Sequence, residues 1–481
     1  MRPALACFFG TMLMLSFSMI DPEMWDAWAY LLILTILTIA GMVVLKPSGL
    51  DPLAYLLLTP TVLFGLESMT LRLGWFNIIR YNENSWHSDL TDEALKKAAM
   101  LVLAGNAMLW LGFAQPVARR LGERLANQLA KLTADDQFEP MMLRIWGAFG
   151  IGISARLYMI VSGITGYFSD LTLVSEASGY IQFLNLIDGF ATLSMLLYAC
   201  ILLKQERPRW TPFLAMLGVE LGTILLLGFK GMLIYRFIYL GIIYAVIRRR
   251  GPYRLMLTGA LVLLVLFPIN LAARRAYNEG RVQRGDIGSI GRGLIDGMAE
   301  SFESVSVLDS FADSGKEIVL VSGNFEQFAM VMQYVDTTGT RWYGIDYLYP
   351  IFSVIPRAVW PSKPSPSHGG WVYKEIYRMP GDSAESQTVP GDMYLNFGWM
   401  GVVFGLFVFG MLGRIAGAVA IRLTSIRLIP LAPFLIHGFG MPISDLGAHL
   451  TNLIRTIVIY SLVLVFLTPR VHRLGAGDRQ P

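Results

Sequence analysis

The residues able to do chemistry crowd into one polar stretch, Arg341 to Gly405. It carries the run Pro356-Arg357-x-x-Trp360-Pro361-x-Lys363-Pro364, then Gly391-Asp392, Asn396 and Gly398 as the chain turns apolar again. Arginine presents a planar fork that grips two phosphate oxygens at once, and lysine adds a compact charge. Prolines fix φ, so Arg357 and Lys363 hang from a stiffened backbone. With Lys230, Arg274, Arg275 and Arg341 they form a cation set suited to an anionic headgroup such as a pyrophosphate. Nearby acids, among them Asp286, Glu300 and Glu303, allow the plainer reading of a solvated, charge-balanced loop.

Asp392 lies where the loop re-enters apolar sequence, a place where burial can tune a carboxylate into a base for an attacking hydroxyl. The competing account makes it an N-cap for a helix near 398–421. His368, before Gly369-Gly370, is the second candidate base, with an intrinsic pKa in the useful range. Trp360 and Asn396 complete the expected substrate contacts. Asp21 and Glu23 space two carboxylates as in metal-dependent lipid-linked glycosyltransferases, but two acids in a short loop are a weak signal. No HExxH, CxxC or Walker-type loop is present, and neither metal nor cofactor is expected. Gly285 to Gly293 resembles a nucleotide loop without its βαβ setting and reads as linker.

The frame around this stretch is hydrophobic. Of 481 residues, 54% are hydrophobic and 15% charged, far below the roughly 25% charged of soluble domains. Mean hydropathy is +0.52. The chain therefore reads as an all-α polytopic membrane protein. Cys7 and Cys200 lie in apolar runs and imply no disulfide framework. Apolar runs of roughly 20 residues place spans near 3–20, 27–45, 53–70, 98–114, 141–163, 181–203, 211–229, 232–247, 254–271, 398–421, 428–442 and 450–468. Arg119, Arg120, Arg124, Lys131, Lys204, Arg248 to Arg250, Arg422 and Arg470 then fall on one side under strict alternation. The positive-inside rule makes that side, with both termini, cytoplasmic. A bundle over 1–271, a large outward insert over 272–397 between the ninth and tenth spans, and C-terminal helices over 398–481 follow. A helical piece is expected at 294–311.

Several charges fall within or beside spans: Arg144, Arg156, Glu220, Lys230, Arg236, Arg414 and Arg455. Charges kept in a bilayer pair with one another or serve function. Gly218-x-x-x-Gly222 around Glu220 is a close-packing spacing in membrane helices and favours a structural role there. His437 and His449, at span ends, read as packing or interfacial residues.

The layout and two local patterns resemble the Wzy-type oligosaccharide repeat-unit polymerases of bacterial O-antigen and exopolysaccharide assembly, relatives of the O-antigen ligases. The patterns are the Pro356 to Pro364 run and Pro390-Gly391-Asp392-x-Tyr394-x-Asn396-Phe397-Gly398-x-x-Gly401. A Gly-Phe-Lys-Gly turn at Gly228 to Gly231 also fits. The resemblance implies an inner-membrane enzyme that joins repeat units carried on undecaprenyl pyrophosphate at the periplasmic face. It would work without metal, amid membrane lipids, with a chain-length regulator and a flippase as partners and no nucleic acid. Rival readings are an O-antigen ligase, a metal-dependent lipid-linked glycosyltransferase, and a transporter or flippase for the same lipid-linked unit. The last is disfavoured by the absence of internal repeats.

Overall fold

The computed structural model describes residues 90–132, 142–169, 178–282, 286, 288–293, 295–296, 325–352, 355, 359–360, 362–363, 368–378, 387–440 and 445–467. The expected spans near 3–20, 27–45 and 53–70, the acids Asp21 and Glu23, and Arg357 lie outside them. So do both termini and most of the helix expected at 294–311. Among the described residues there is no strand. Seven helices there are long and apolar enough to cross a membrane.

Helix α1 (Asp92–Ala114) starts where Thr91 caps it, its hydroxyl accepting the Ala94 N–H at 3.2 Å, with Asp92 and Glu93 at the positive end of the dipole. Pro116 opens the amphipathic α2 (Pro116–Leu132), proline being suited to a first helical turn. The chain continues through α3 (Met142–Val161), α4 (Ser178–Lys204) and α5 (Trp210–Leu227). Gly228, at φ 75°, ends α5 in the left-handed region and lets α6 (Lys230–Arg248) turn back. Then come α7 (Tyr253–Asn278), α8 (Phe325–Thr338), α9 (Thr388–Arg422), α10 (Ala432–Gly440) and α11 (Leu446–Leu467).

Three details differ from the sequence expectation. Within the described residues, the span expected at 428–442 is a 3-10 turn opened by Pro430 and followed by the nine-residue α10, too short together to count as a full crossing. Helix extends past both bounds expected for the insert, as α7 runs on through Arg274 and Arg275 and α9 begins at Thr388. Good helix formers carry α7 past the apolar stretch. Gly218 and Gly222 mediate no close packing among the described residues, as a Cβ on either would meet nothing there within 4 Å.

The close approach occurs instead between α1 and α9. A Cβ on Gly112 would stand 1.9 Å from the Phe407 carbonyl oxygen, and one on Gly410 2.1 Å from that of Leu109. Gly105 meets Val402 and Leu406, while Gly122 of α2 meets Ile415, so the two chains run in the same direction. One core lies between α1, α8 and the start of α9. A second gathers α3, α4, α6, α10 and α11.

The basic clusters that the positive-inside rule groups together do meet at one end of the bundle. Arg422 donates to Glu123 at 2.8 Å, Arg249 to the Ile421 carbonyl at 2.6 Å, and Lys204 to that of Thr424 at 3.0 Å. The insert lies at the other end.

Candidate functional site

At the insert end, α9 is two helical pieces joined at Gly398 (φ 66°, ψ −151°), a backbone state favoured by glycine. The first piece carries Asp392 and Asn396 on adjacent turns of one face. Both are fully buried, as is Asp346 in the 3-10 turn Ile345–Leu348. Asn396 bridges the acids, its Nδ2 donating to Asp346 Oδ2 at 3.1 Å and to Asp392 Oδ1 at 3.4 Å. Its Oδ1 accepts the Gly344 N–H at 2.7 Å. Gln387 donates to Asp392 Oδ1 at 2.9 Å. Thr388 holds φ 62°, a strained state for a β-branched residue.

His368 joins the same knot. Its Nε2 stands 3.3 Å from Asp346 Oδ2, and the edge of its ring meets Trp342 at 3.9 Å between centroids. Burial opposes ionisation of Asp346, but His368 and Asn396 outweigh it and hold the carboxyl below the usual carboxylate range. Burial and the neighbouring carboxylates push the Tyr347 hydroxyl up. The two candidate bases, Asp392 and His368, are thus brought together through Asp346 and Asn396. The assembly is packed shut, and Asp392 lies inside its helix, away from the cap position.

The expected cations are scattered. Lys363 is buried and donates to the Ile355 carbonyl at 2.6 Å and to Gln182 of α4 at 3.4 Å, which ties the insert to the bundle. Arg274 donates to the Gly228 carbonyl at 3.0 Å and stacks over Tyr167 at 3.9 Å, bracing the α5–α6 turn. Arg275 is exposed on α7, and Lys230 is the first residue of α6. Arg341 reaches the Tyr394 carbonyl at 3.4 Å. Trp360 donates to Ser362 at 3.1 Å and packs on Phe352.

Below this knot lies a cavity of about 390 Å³ walled by α4, α6, α10 and α11. It begins about one turn below the insert's attachments. Asn185 lines it three residues beyond Gln182, and His449 three residues beyond Leu446, whose N–H is held by Asp392. Asp188, Arg236 and Arg455 line it, and the first two belong to a buried ion network that includes Glu220 and Arg156. Glu220 accepts from Arg156 (2.8 and 3.3 Å), Arg236 (2.7 Å) and Thr192 (2.9 Å), and Arg156 also holds Asp188 at 2.6 Å. Among the described residues, Arg156, Arg236 and Arg455 stand with Asp188 and Glu220, three cations to two anions. Among the described residues, Arg236 spends only its Nε and Arg455 makes no hydrogen bond or ion pair. Free guanidinium donors therefore face the cavity, and donors of that kind select an anion. The lining also has an aromatic group, Tyr235, Tyr239, Phe434 and His437.

Sequence inspection placed Arg156, Glu220 and Arg455 deep in spans but missed the cavity that Arg455 lines with Asp188, His437 and His449. The available signal was polar residues inside apolar runs, Asp188 above all, at positions no single helix brings together.

No curated protein and no solved structure matches the chain. One family does, described as a domain of unknown function, DUF8712, over residues 153–424. The match spans Arg156, Glu220, Arg236 and the whole insert, and stops before α10 and α11 complete the cavity. It covers more than half of the chain, which therefore belongs to the DUF8712 family.

Proposed function

We propose that this protein is a membrane glycosyltransferase that polymerises oligosaccharide units carried on undecaprenyl pyrophosphate, at the periplasmic face of the bacterial inner membrane. The observation that carries this reading is the pair of arginines, Arg236 and Arg455, whose donors are unspent among the described residues, in a cavity between membrane helices at the insert end. A lipid-linked pyrophosphate needs cations within reach of the bilayer, and a guanidinium fork meets its oxygens two at a time. A hydrocarbon tail can stay in the membrane while the glycan extends toward the insert. The motif resemblance supplies the reaction: the growing glycan passes to the non-reducing sugar of an incoming unit, and the lipid pyrophosphate leaves.

The test is the glycan profile of a strain lacking the gene. Loss of all chains beyond one repeat unit, restored by the wild-type gene and not by Arg455→Gln at equal abundance, is the expected result. Unchanged chain lengths in the deletion strain would sink the reading. Loss of every glycan from the acceptor, single units included, would point to the ligase or flippase.

A further inference from the structure

Resting on that glycosyl-transfer reading, we propose that His437, on the aromatic wall of the cavity, takes the proton from the attacking sugar hydroxyl. The cavity already holds the cations for the leaving pyrophosphate, and what remains to be found is a base within the same space. His368 is wedged between Asp346 and Trp342 and is only 7% exposed. Asp392 has both oxygens occupied, by Gln387 and Asn396 on one and by Leu446 on the other. Neither lines the cavity.

His437 does line it, and its ring is fixed from several sides. Its Nδ1 stands 3.1 Å from the Tyr239 hydroxyl, and the Tyr235 ring lies 4.3 Å away between centroids. Phe434 holds Tyr239 in turn at 4.9 Å, and His449 stands at 6.5 Å. The other nitrogen, Nε2, has no partner among the described residues and is not one of the sealed-off polar atoms of the core. With the Nδ1 proton donated to Tyr239, the Nε2 lone pair is available to the cavity. A base needs this arrangement: one nitrogen anchored to set the tautomer, the other free to reach a hydroxyl.

The step balances without a further reactant. The acceptor oxygen bonds to the anomeric carbon of the donor glycan, and its proton moves to His437 Nε2. The bond from that carbon to the phosphate oxygen breaks, and the electron pair leaves on the pyrophosphate facing Arg236 and Arg455. The imidazolium returns its proton to solvent when the products depart.

Membranes from the deletion strain, which carry accumulated lipid-linked units, provide the assay when purified full-length protein is added. His437→Asn keeps an amide at the Nδ1 position for Tyr239 but offers no base. It is expected to bind undecaprenyl pyrophosphate as the unmutated protein does and to extend chains at least about 100-fold more slowly, the lower end for loss of a general base. His437→Ala opens space for added imidazole, which is expected to restore part of its rate, an effect that a purely structural histidine would not show. Extension at the unmutated rate by His437→Asn, or no imidazole rescue of folded His437→Ala, overturns the assignment alone. Absence of extension by the unmutated protein overturns the glycosyl-transfer reading and this inference with it.

Discussion

The carboxylate of Asp392 holds the start of another helix: its Oδ2 accepts the backbone N–H of Leu446, 54 residues further along the chain, at 3.0 Å. The first N–H groups of a helix have no partner within it, so α11 takes one from α9. Asp445 supplies a second at the same end, its Oδ1 accepting the Ala448 N–H at 2.6 Å. The charged cavity wall on α11 is registered against the insert through this contact.

Asp392→Asn is expected to loosen that register. Both carboxylate oxygens accept from N–H donors, so an asparagine must turn its own NH2 toward one of them. An unsatisfied buried group of this kind costs about 1–3 kcal/mol. Purified Asp392→Asn should melt earlier and show faster amide exchange at the start of α11; unchanged exchange there would show that the clamp does not hold α11.

Glu220 is the anion that holds two arginines. Its removal in Glu220→Gln leaves Arg156 with Asp188 alone and Arg236 without a carboxylate. Breaking one side of a buried ion network costs about 3–5 kcal/mol. The variant should accumulate poorly in membranes, and the double change Glu220→Gln with Arg236→Gln should recover part of the loss. Wild-type abundance of the single variant would contradict the coupling.

Acid should loosen the insert. Asp346 is held below the ordinary carboxylate range by His368 and Asn396. A group depressed in the folded state contributes stability that is fully present above its unfolded value, about 3.9. That contribution is lost as pH falls through the depressed folded value. Thermal melting of the purified protein between pH 6 and pH 3 should therefore fall more steeply for wild type than for Asp346→Asn, where roughly one titrating group is missing. Parallel curves would remove Asp346 from the account.

Much of the frame was legible in the sequence. The runs near 181–203, 211–229 and 232–247 became α4, α5 and α6 because twenty apolar residues admit few other fates in a membrane. α8 went unnoticed although Phe325, Phe328, Ala329, Met332 and Val335 carry the helical period. Its apolar face is too short to span and signals itself only by packing on α1 and α9. Lys363 read as a phosphate ligand because charge and stiff backbone were visible, whereas the Ile355 carbonyl that occupies it was not. The cavity was hidden for a related reason. Asp188, Arg236, His437 and Arg455 meet only once four helices pack, and no spacing along the chain records that meeting.

The glycine seam should be the least forgiving surface of the protein. Gly112→Ala would place a methyl group 1.9 Å from the Phe407 carbonyl, which only a shift of one backbone can relieve. Overpacking against backbone should cost about 3 kcal/mol or more. Gly218→Ala and Gly222→Ala meet nothing within 4 Å among the described residues and should be tolerated. Equal membrane abundance for Gly112→Ala and Gly218→Ala would refute the seam.

That seam also decides where motion can occur. Helices α1 and α9 touch backbone to backbone at Gly112 and Gly410, so neither can slide past the other without collision. In the wall formed by α10 and α11, α10 leans on α9 through Phe439 against Phe409 at 5.9 Å between centroids, whereas α11 meets α9 chiefly through the Asp392 contact at its upper end. Closure around a bound anion would then be a swing of α11 about Leu446, with α1 and α9 as the stationary post. Arg455, about 13 Å down the helix from that pivot at 1.5 Å per residue, would travel furthest of the charged groups lining the cavity.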